Sequence, residues 1–444
     1  MNLSGYLPIY RKNLQLSIPI ILSQAGQVSV NLADTMMVGH FGTTELAAAS
    51  FSNNVFLFGM LLGLGITIGI TPLTGQSYGR NEQGKVGEWL KNGILAHVLA
   101  AIALLTLMGI ICPFMNNMGQ SPEVVEKAIP YYLLLLASLF PMILFFSFKQ
   151  FLEGIGNTKI AMTITIAVNI LNIILNYIFI FGKLGIPAMG LNGAGLSTLI
   201  ARIIMPVAIF IYIRTHQKYN YLYHLAGKAR IKWRKIIRIL SVGFPIGMQM
   251  LIEMVAFSFG AIMMGWISKE SLAGHQVAIG MASFTFMISV GLASGTTIRI
   301  SHLTGQNNLS EMKHVIFASL HMVIFFMSMM GLSFILFRYQ LPYLFTNDAK
   351  VVTIAAKLLT IGALFQVFDG MQVILIGSLR GFADVRKPMI LAFISYILVS
   401  LPIGYTFAFV LDFKETGIWI GFLAGLITAA ILFWTRIQQL IHKF

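Results

Sequence analysis

Asp34, Glu253 and Asp369 lie within stretches of sequence otherwise apolar enough to cross a bilayer, while nearly all the other acids among the 15 Asp and Glu fall between such stretches. A charged side chain at membrane depth costs at least about 2.5–3.5 kcal/mol on insertion scales, so each of the three is expected to face a cavity and to hold a proton or a small cation. Asp34 lies about 22 Å beyond Pro19 on a helix rising 1.5 Å per residue, toward the outer end of its span. Asn169, Asn172 and Asn176 recur at i, i+3 and i+7, which puts three amides on one helix face. The carbonyl oxygens of Asn172 and Asn176, the hydroxyl of Thr198 and the carboxylate of Asp34 make a set of hard oxygen ligands suited to Na⁺ or to a network that holds a proton. Amides that only join helices together are the competing reading.

Glu253 has Gln249 one turn before it, and Asp369 has Gln366 and Gln372 three residues to either side. Two carboxylates sharing one pocket would hold a proton between them or draw in a cation; separate neutral acids bonding to neighbouring helices are the alternative. Arg202 is the one arginine in mid-span. It either pairs with a buried acid, lines an opening, or snorkels to the interface.

The elements that must position these groups follow from composition. Of 444 residues, 57% are hydrophobic and only 10% charged, with a mean hydropathy of +0.82. An average soluble domain carries about 25% charged residues, so a soluble fold is excluded. Apolar runs predict twelve spans, near 14–38, 50–74, 92–112, 129–149, 160–182, 190–213, 241–266, 276–298, 315–337, 353–376, 388–410 and 416–435. The expected fold is an all-α polytopic membrane protein of 12 transmembrane helices in two pseudo-symmetric six-helix bundles. The first apolar segment reads as a retained span rather than a secretory signal.

The net charge of +15 is read by position. With both termini inside, the inner segments hold 22 of the 30 Lys and Arg, Lys443 included, and the outer segments hold seven. This bias predicts cytoplasmic termini and a cytoplasmic 214–240 segment. Nucleic acid is therefore not an expected partner; the bilayer is. The single cysteine, Cys112, excludes an internal disulfide framework, and the nine histidines show no HExxH or paired metal-ligand spacing.

The basic segment 214–240 divides the chain into residues 1–213, an N-lobe of helices 1–6, and 241–444, a C-lobe of helices 7–12. The halves resemble each other. Ile18-Pro19-Ile20 through Glu45-Leu46-Ala47 matches Phe244-Pro245-Ile246 through Ser271-Leu272-Ala273 at an offset of 226, and the run from Gly154 to Met162 matches Gly381 to Met389 at 227. Leu73 to Gln76 recurs as Leu303 to Gln306. Six spans per repeat is an even number, so the halves have the same orientation, as suits a transporter with lobes about a central site. Pro19 and Pro245 occupy equivalent places, as hinges or as fixed kinks. The 34 Phe and 25 Met could line a broad adaptable cavity, or face lipid and neighbouring helices.

Pro19, Ala33-Asp34-Thr35-Met36-Met37-Val38-Gly39, Thr74-Gly75-Gln76, Glu253, and Phe368-Asp369-Gly370 leading to Gly377-Ser378-Leu379-Arg380-Gly381 together resemble the multidrug and toxic compound extrusion (MATE) family, in its bacterial NorM-type branch. The resemblance spans essentially the whole chain. It implies a secondary antiporter in the bacterial cytoplasmic (inner) membrane, without a cofactor and working as a monomer. Such a protein exports cationic or amphiphilic organic compounds in exchange for Na⁺ or H⁺ by rocker-switch alternating access. Residue by residue, it implies an N-lobe cation site at Asp34, Asn172, Asn176 and Thr198, an acidic pair at Glu253 and Asp369 supported by Gln249, Gln366 and Gln372, and bending at Pro19. Related members can carry an acid where this chain has Asn176, which leaves fewer negative charges here.

Two other readings compete. A flippase for lipid-linked oligosaccharide would need more arginine in its cavity to meet pyrophosphate. An integral membrane enzyme would need clustered ligands or a nucleophile with its base, and no such grouping stands out, so the chain is not expected to be an enzyme.

Overall fold

The computed structural model describes residues 6–442, and among these every regular element is helical. Lys443 lies outside the described residues. In a bilayer each backbone amide must be bonded within its own segment, which for these apolar runs leaves the α-helix. Among the described residues twelve helical segments are long and apolar enough to cross, from Leu7–Phe41, Thr43–Gly79 and Gln83–Asn117 to Arg386–Val410 and Lys414–Ile441. The predicted spans coincide with them to within one residue or fall inside them. The chain is a multi-pass membrane protein.

The helices that matter for the site are α1 (Leu7–Phe41), α2 (Thr43–Ile68), α3 (Ile70–Gly79), α4 (Gln83–Ile111), α5 (Pro122–Gly154), α6 (Lys159–Phe181) and α7 (Leu191–Thr215), then α8 (Gln217–Lys228) and α9 (Trp233–Ile267). They continue as α10 (Lys269–Gln306), α11 (Leu309–Leu336), α12 (Ala349–Gly381), α13 (Arg386–Phe393), α14 (Leu401–Tyr405) and α15 (Lys414–Ile441). Between α13 and α14 the chain is π-helical over Ile394–Ser400. The basic segment read as a linker is mostly helix: α8 buries Leu222 and Ala226, one turn apart, and packs against α4, and α9 begins already at Trp233.

Two compact units result, Leu22–Gly247 and Met248 onward together with the residues up to Ile21. The division by compactness therefore runs through α1 and α9, two residues beyond Pro19 and Pro245, whereas the halves read from sequence divide at the basic segment. The reason is backbone contact. In the first unit, Gly65 and Gly69 meet Gly243 and Gly247 of α9: a Cβ on Gly69 would sit 2.6 Å from Gly243 N, and one on Gly247 would sit 2.9 Å from Leu62 O. Two GxxxG pairs let helices touch main chain to main chain. In the second unit, 226 residues on, Gly291 and Gly295 of α10 receive Ile21 and Ser17 of α1, and a Cβ on Gly291 would lie 3.1 Å from Ile21 N. Pro19 and Pro245 are thus each centred in the five-residue stretch, Ser17 to Ile21 and Gly243 to Gly247, that makes this contact.

The repeat extends to single hydrogen bonds. Thr71 Oγ1 donates to Gln150 O at 3.0 Å, and Thr297 Oγ1 to Gly377 O at 2.7 Å. Asn157 N donates to Leu152 O at 2.8 Å past a left-handed Gly156, and Asp384 N to Leu379 O at 3.0 Å past a left-handed Ala383. Equal caps at equal places end α5 and α12.

Candidate functional site

Each unit places expected site residues in a polar cluster inside its helices. In the first, α1 brings Asp34 against α6 and α7. Asp34 Oδ1 accepts from Asn176 Nδ2 in a short bond, and the same nitrogen reaches Asn172 Oδ1 at 3.3 Å. Asn176 is fully buried, and its Oδ1 accepts a short bond from Ser197 Oγ, itself 3.0 Å from Ala194 O. Hydroxyl, amide and carboxylate form one line: Ser197 to Asn176 to Asp34.

The expected hydroxyl was that of Thr198, and here the structure differs. Among the described residues the hydroxyl that closes the line is Ser197's; neighbouring residues on a helix point about 100° apart, so only one of the two can face α6. Asn169, the third amide of the stripe, is buried with Nδ2 lacking a hydrogen-bond partner, and it lies against Gly26 of α1. Arg202 neither snorkels nor forms an ion pair among the described residues. Its Nη1 donates to Ser138 Oγ at 2.6 Å and its guanidinium lies 5.3 Å from the Phe56 ring centroid.

In the second unit Glu253 of α9 and Asp369 of α12 meet. Gln372 Nε2 is 3.3 Å from Asp369 Oδ1 and 3.5 Å from Glu253 Oε1, so the two carboxylate oxygens are no further apart than those two bonds combined. Tyr396 OH donates to Glu253 Oε1 at 3.3 Å, and Gln249 Nε2 to Glu253 Oε2 at 3.3 Å. Gln372 Oε1 is buried without a hydrogen-bond partner, an oxygen with no donor beside two carboxylates. That donor set, three side chains offering oxygen, fits a hard cation or a shared proton. Among the described residues no group of three His, Cys, Asp or Glu is placed to hold a metal ion.

Of the three expected glutamines, Gln249 and Gln372 touch the carboxylates. Gln366 does not. Its Oε1 accepts from Thr285 of α10 at 2.9 Å, and its Nε2 is buried without a partner. Arg380, which lies beyond the predicted span 353–376, belongs to the last turn of α12 and donates from Nη2 to Gln249 Oε1 at 2.6 Å. Tyr396 gave no signal in sequence, since it comes from the π-helical stretch, whose side chains leave the 3.6-residue register.

The chain matches the family profile described as MatE twice, over residues 19–178 and 245–406, one copy on each half. It is 31% identical to a probable multidrug resistance protein NorM of Rhizobium meliloti, covering 98% of this chain and 94% of that one. It is 29% identical to the multidrug resistance protein NorM of Photobacterium profundum, with 96% and 95% covered. Among solved structures, a crystal structure of MATE in the bent conformation superposes with a TM-score of 0.90 at 22% identity, covering 98% of this chain and 96% of that one. The eukaryotic MATE transporter AtDTX14 superposes with a TM-score of 0.84 at 20% identity, again over 98% and 96%. At those identities the structures speak for the fold alone.

Proposed function

The chain belongs to the MatE family, and on that premise we propose that it is a multidrug efflux antiporter, expelling cationic or amphiphilic organic compounds in exchange for inward-moving Na⁺ or H⁺. In this reading it resides in the bacterial inner membrane with both termini on the cytoplasmic face, where the excess of Lys and Arg belongs. Its work is transport, not bond-making.

The observation that carries the proposal is the company the three acids keep. Asp34, Glu253 and Asp369 are hydrogen-bonded by neutral amides and hydroxyls; Arg202 and Arg380 act on Asp34 and Glu253 through space, yet among the described residues none of the three acids is in an ion pair. A carboxylate tied to Arg or Lys has its charge settled. One held by amides can take and release a proton or Na⁺ and stay hydrogen-bonded throughout, because an amide offers a donor at one edge and an acceptor at the other. Turning the Asn176 amide over would present Oδ1 to a protonated or Na⁺-bound Asp34, and Ser197, donor and acceptor both, can follow. At the second cluster a cation between Glu253 and Asp369 would also find Gln372 Oε1.

Turnover then rests on competition. The ion entering from outside neutralises a carboxylate and removes the counter-charge of a bound cationic drug, which is released outward. The ion-loaded protein changes its access, releases the ion inside and reloads. A ligand shifts such an equilibrium only through its different affinity for the two states. Each charge moved across 100 mV adds about 2.3 kcal/mol, to which the ion gradient adds. Pro19 and Pro245 lie where α1 and α9 lack one backbone donor, and they serve as the hinges.

The test is expression of the full chain in a drug-hypersensitive bacterium. Ethidium accumulation should fall several-fold below the vector control; equal accumulation in both would reject the reading.

A further inference from the structure

The eleventh span begins with α13 at Arg386, and the twelfth ends with α15 at Ile441. Consecutive spans joined by a short turn run antiparallel, so these two ends reach the same membrane boundary. There a groove of about 260 Å³ opens between the helices. Both of its walls change character in the same direction. On α13, Lys387 stands at the boundary and Ile390 and Leu391, three and four residues deeper, continue its face. On α15, Leu432 is the deeper residue, and Arg436 and Gln439 follow toward the boundary. The result is a cationic rim over an apolar floor, of which Ile390 is more than half exposed.

The rim is built. Asp384 Oδ2 accepts from Arg436 Nε at 2.6 Å, and Arg436 Nη1 donates to Gln439 Oε1 at 3.3 Å, which holds the guanidinium in place. Lys387 is exposed beside it, so two lining cations stand against the one carboxylate. The groove is smaller than the 300–1,000 Å³ usual for a drug-sized ligand. It has room for a headgroup. Basic pockets between spans at a membrane boundary suit anionic headgroups.

We propose that this groove seats an anionic phospholipid, its phosphate against Lys387 and Arg436 and its acyl chains along Ile390, Leu391 and Leu432. The site is separate from the carboxylate clusters and does not depend on what the protein transports.

Native mass spectrometry of the full chain in detergent, titrated with phosphatidylglycerol or phosphatidylcholine, tests this. Phosphatidylglycerol should be retained in preference to phosphatidylcholine. Lys387→Glu, an exposed position, should weaken that retention by about thirtyfold, the effect of two charges at about 1 kcal/mol each at a membrane surface. Leu432→Trp, which fills the floor and leaves the charge unchanged, should weaken it as well. Equal retention of the two lipids, undiminished retention by both variants, or displacement of the lipid by inorganic phosphate at matched ionic strength would overturn the proposal.

Discussion

Glu253 and Asp369 accept from the same nitrogen, Gln372 Nε2, at 3.5 and 3.3 Å. Two acids on helices far apart in sequence are thereby one unit. Groups sharing a partner do not act additively. Glu253→Gln combined with Asp369→Asn should reduce saturable binding of radiolabelled Na⁺ to the purified protein at least tenfold, and the second substitution should add little to the first. Undiminished binding in the double variant would move the cation site elsewhere.

Asp34→Asn preserves the hydrogen bond from Asn176, because an asparagine oxygen also accepts, yet it removes the charge that an ion could neutralise. Membrane levels should therefore match the parent while drug resistance in a hypersensitive host is lost. Resistance at the parental level, with equal protein by immunoblot, would take Asp34 out of the mechanism.

Ser197→Ala leaves Asn176 Oδ1 buried without its donor. An unsatisfied buried acceptor costs about 1–3 kcal/mol. The variant should lose thermal stability in detergent and transport partially, whereas Thr198→Ala should do neither. Equal effects of the two substitutions would contradict the line from Ser197 to Asp34.

Gly65→Leu should prevent stable insertion. Its side chain would enter the backbone of Gly247, and no rotamer relieves a main-chain overlap. Overpacking in well-packed interiors costs typically about 1–3 kcal/mol, more where the obstacle cannot move. Gly291→Leu, its counterpart on α10 facing Ile21, should behave alike, and Gly84→Ala, with open space around it, should be silent. Expression and melting temperature in detergent read all three.

Much of the architecture was legible because a bilayer imposes it: apolar runs must be helices, and an offset near 226 must return the same helix to the same role. The three acids stood out for the same reason, since charge is rare where water is absent. What stayed hidden depended on rotation rather than type. Ser197 and Thr198 carry similar hydroxyls one residue apart, and only the packed orientation of α7 selects between them. Arg380 follows a glycine and a serine at the end of an apolar run and lies beyond the predicted span, yet α12 extends one turn further and carries it inward to Gln249. The Gly65–Gly69 and Gly243–Gly247 spacings were present in the chain as GxxxG pairs. Their pairing with each other, and the way α1 and α9 pass from one compact unit into the other, required the coordinates.

The central claim is that buried, amide-held carboxylates exchange a small cation to drive export. Its most direct test is release of a fluorescent organic cation from proteoliposomes with Na⁺ and pH gradients imposed separately. Transport should follow at least one gradient and vanish when Asp34→Asn is combined with Glu253→Gln and Asp369→Asn. Transport indifferent to both gradients, or intact in the triple variant, would contradict it.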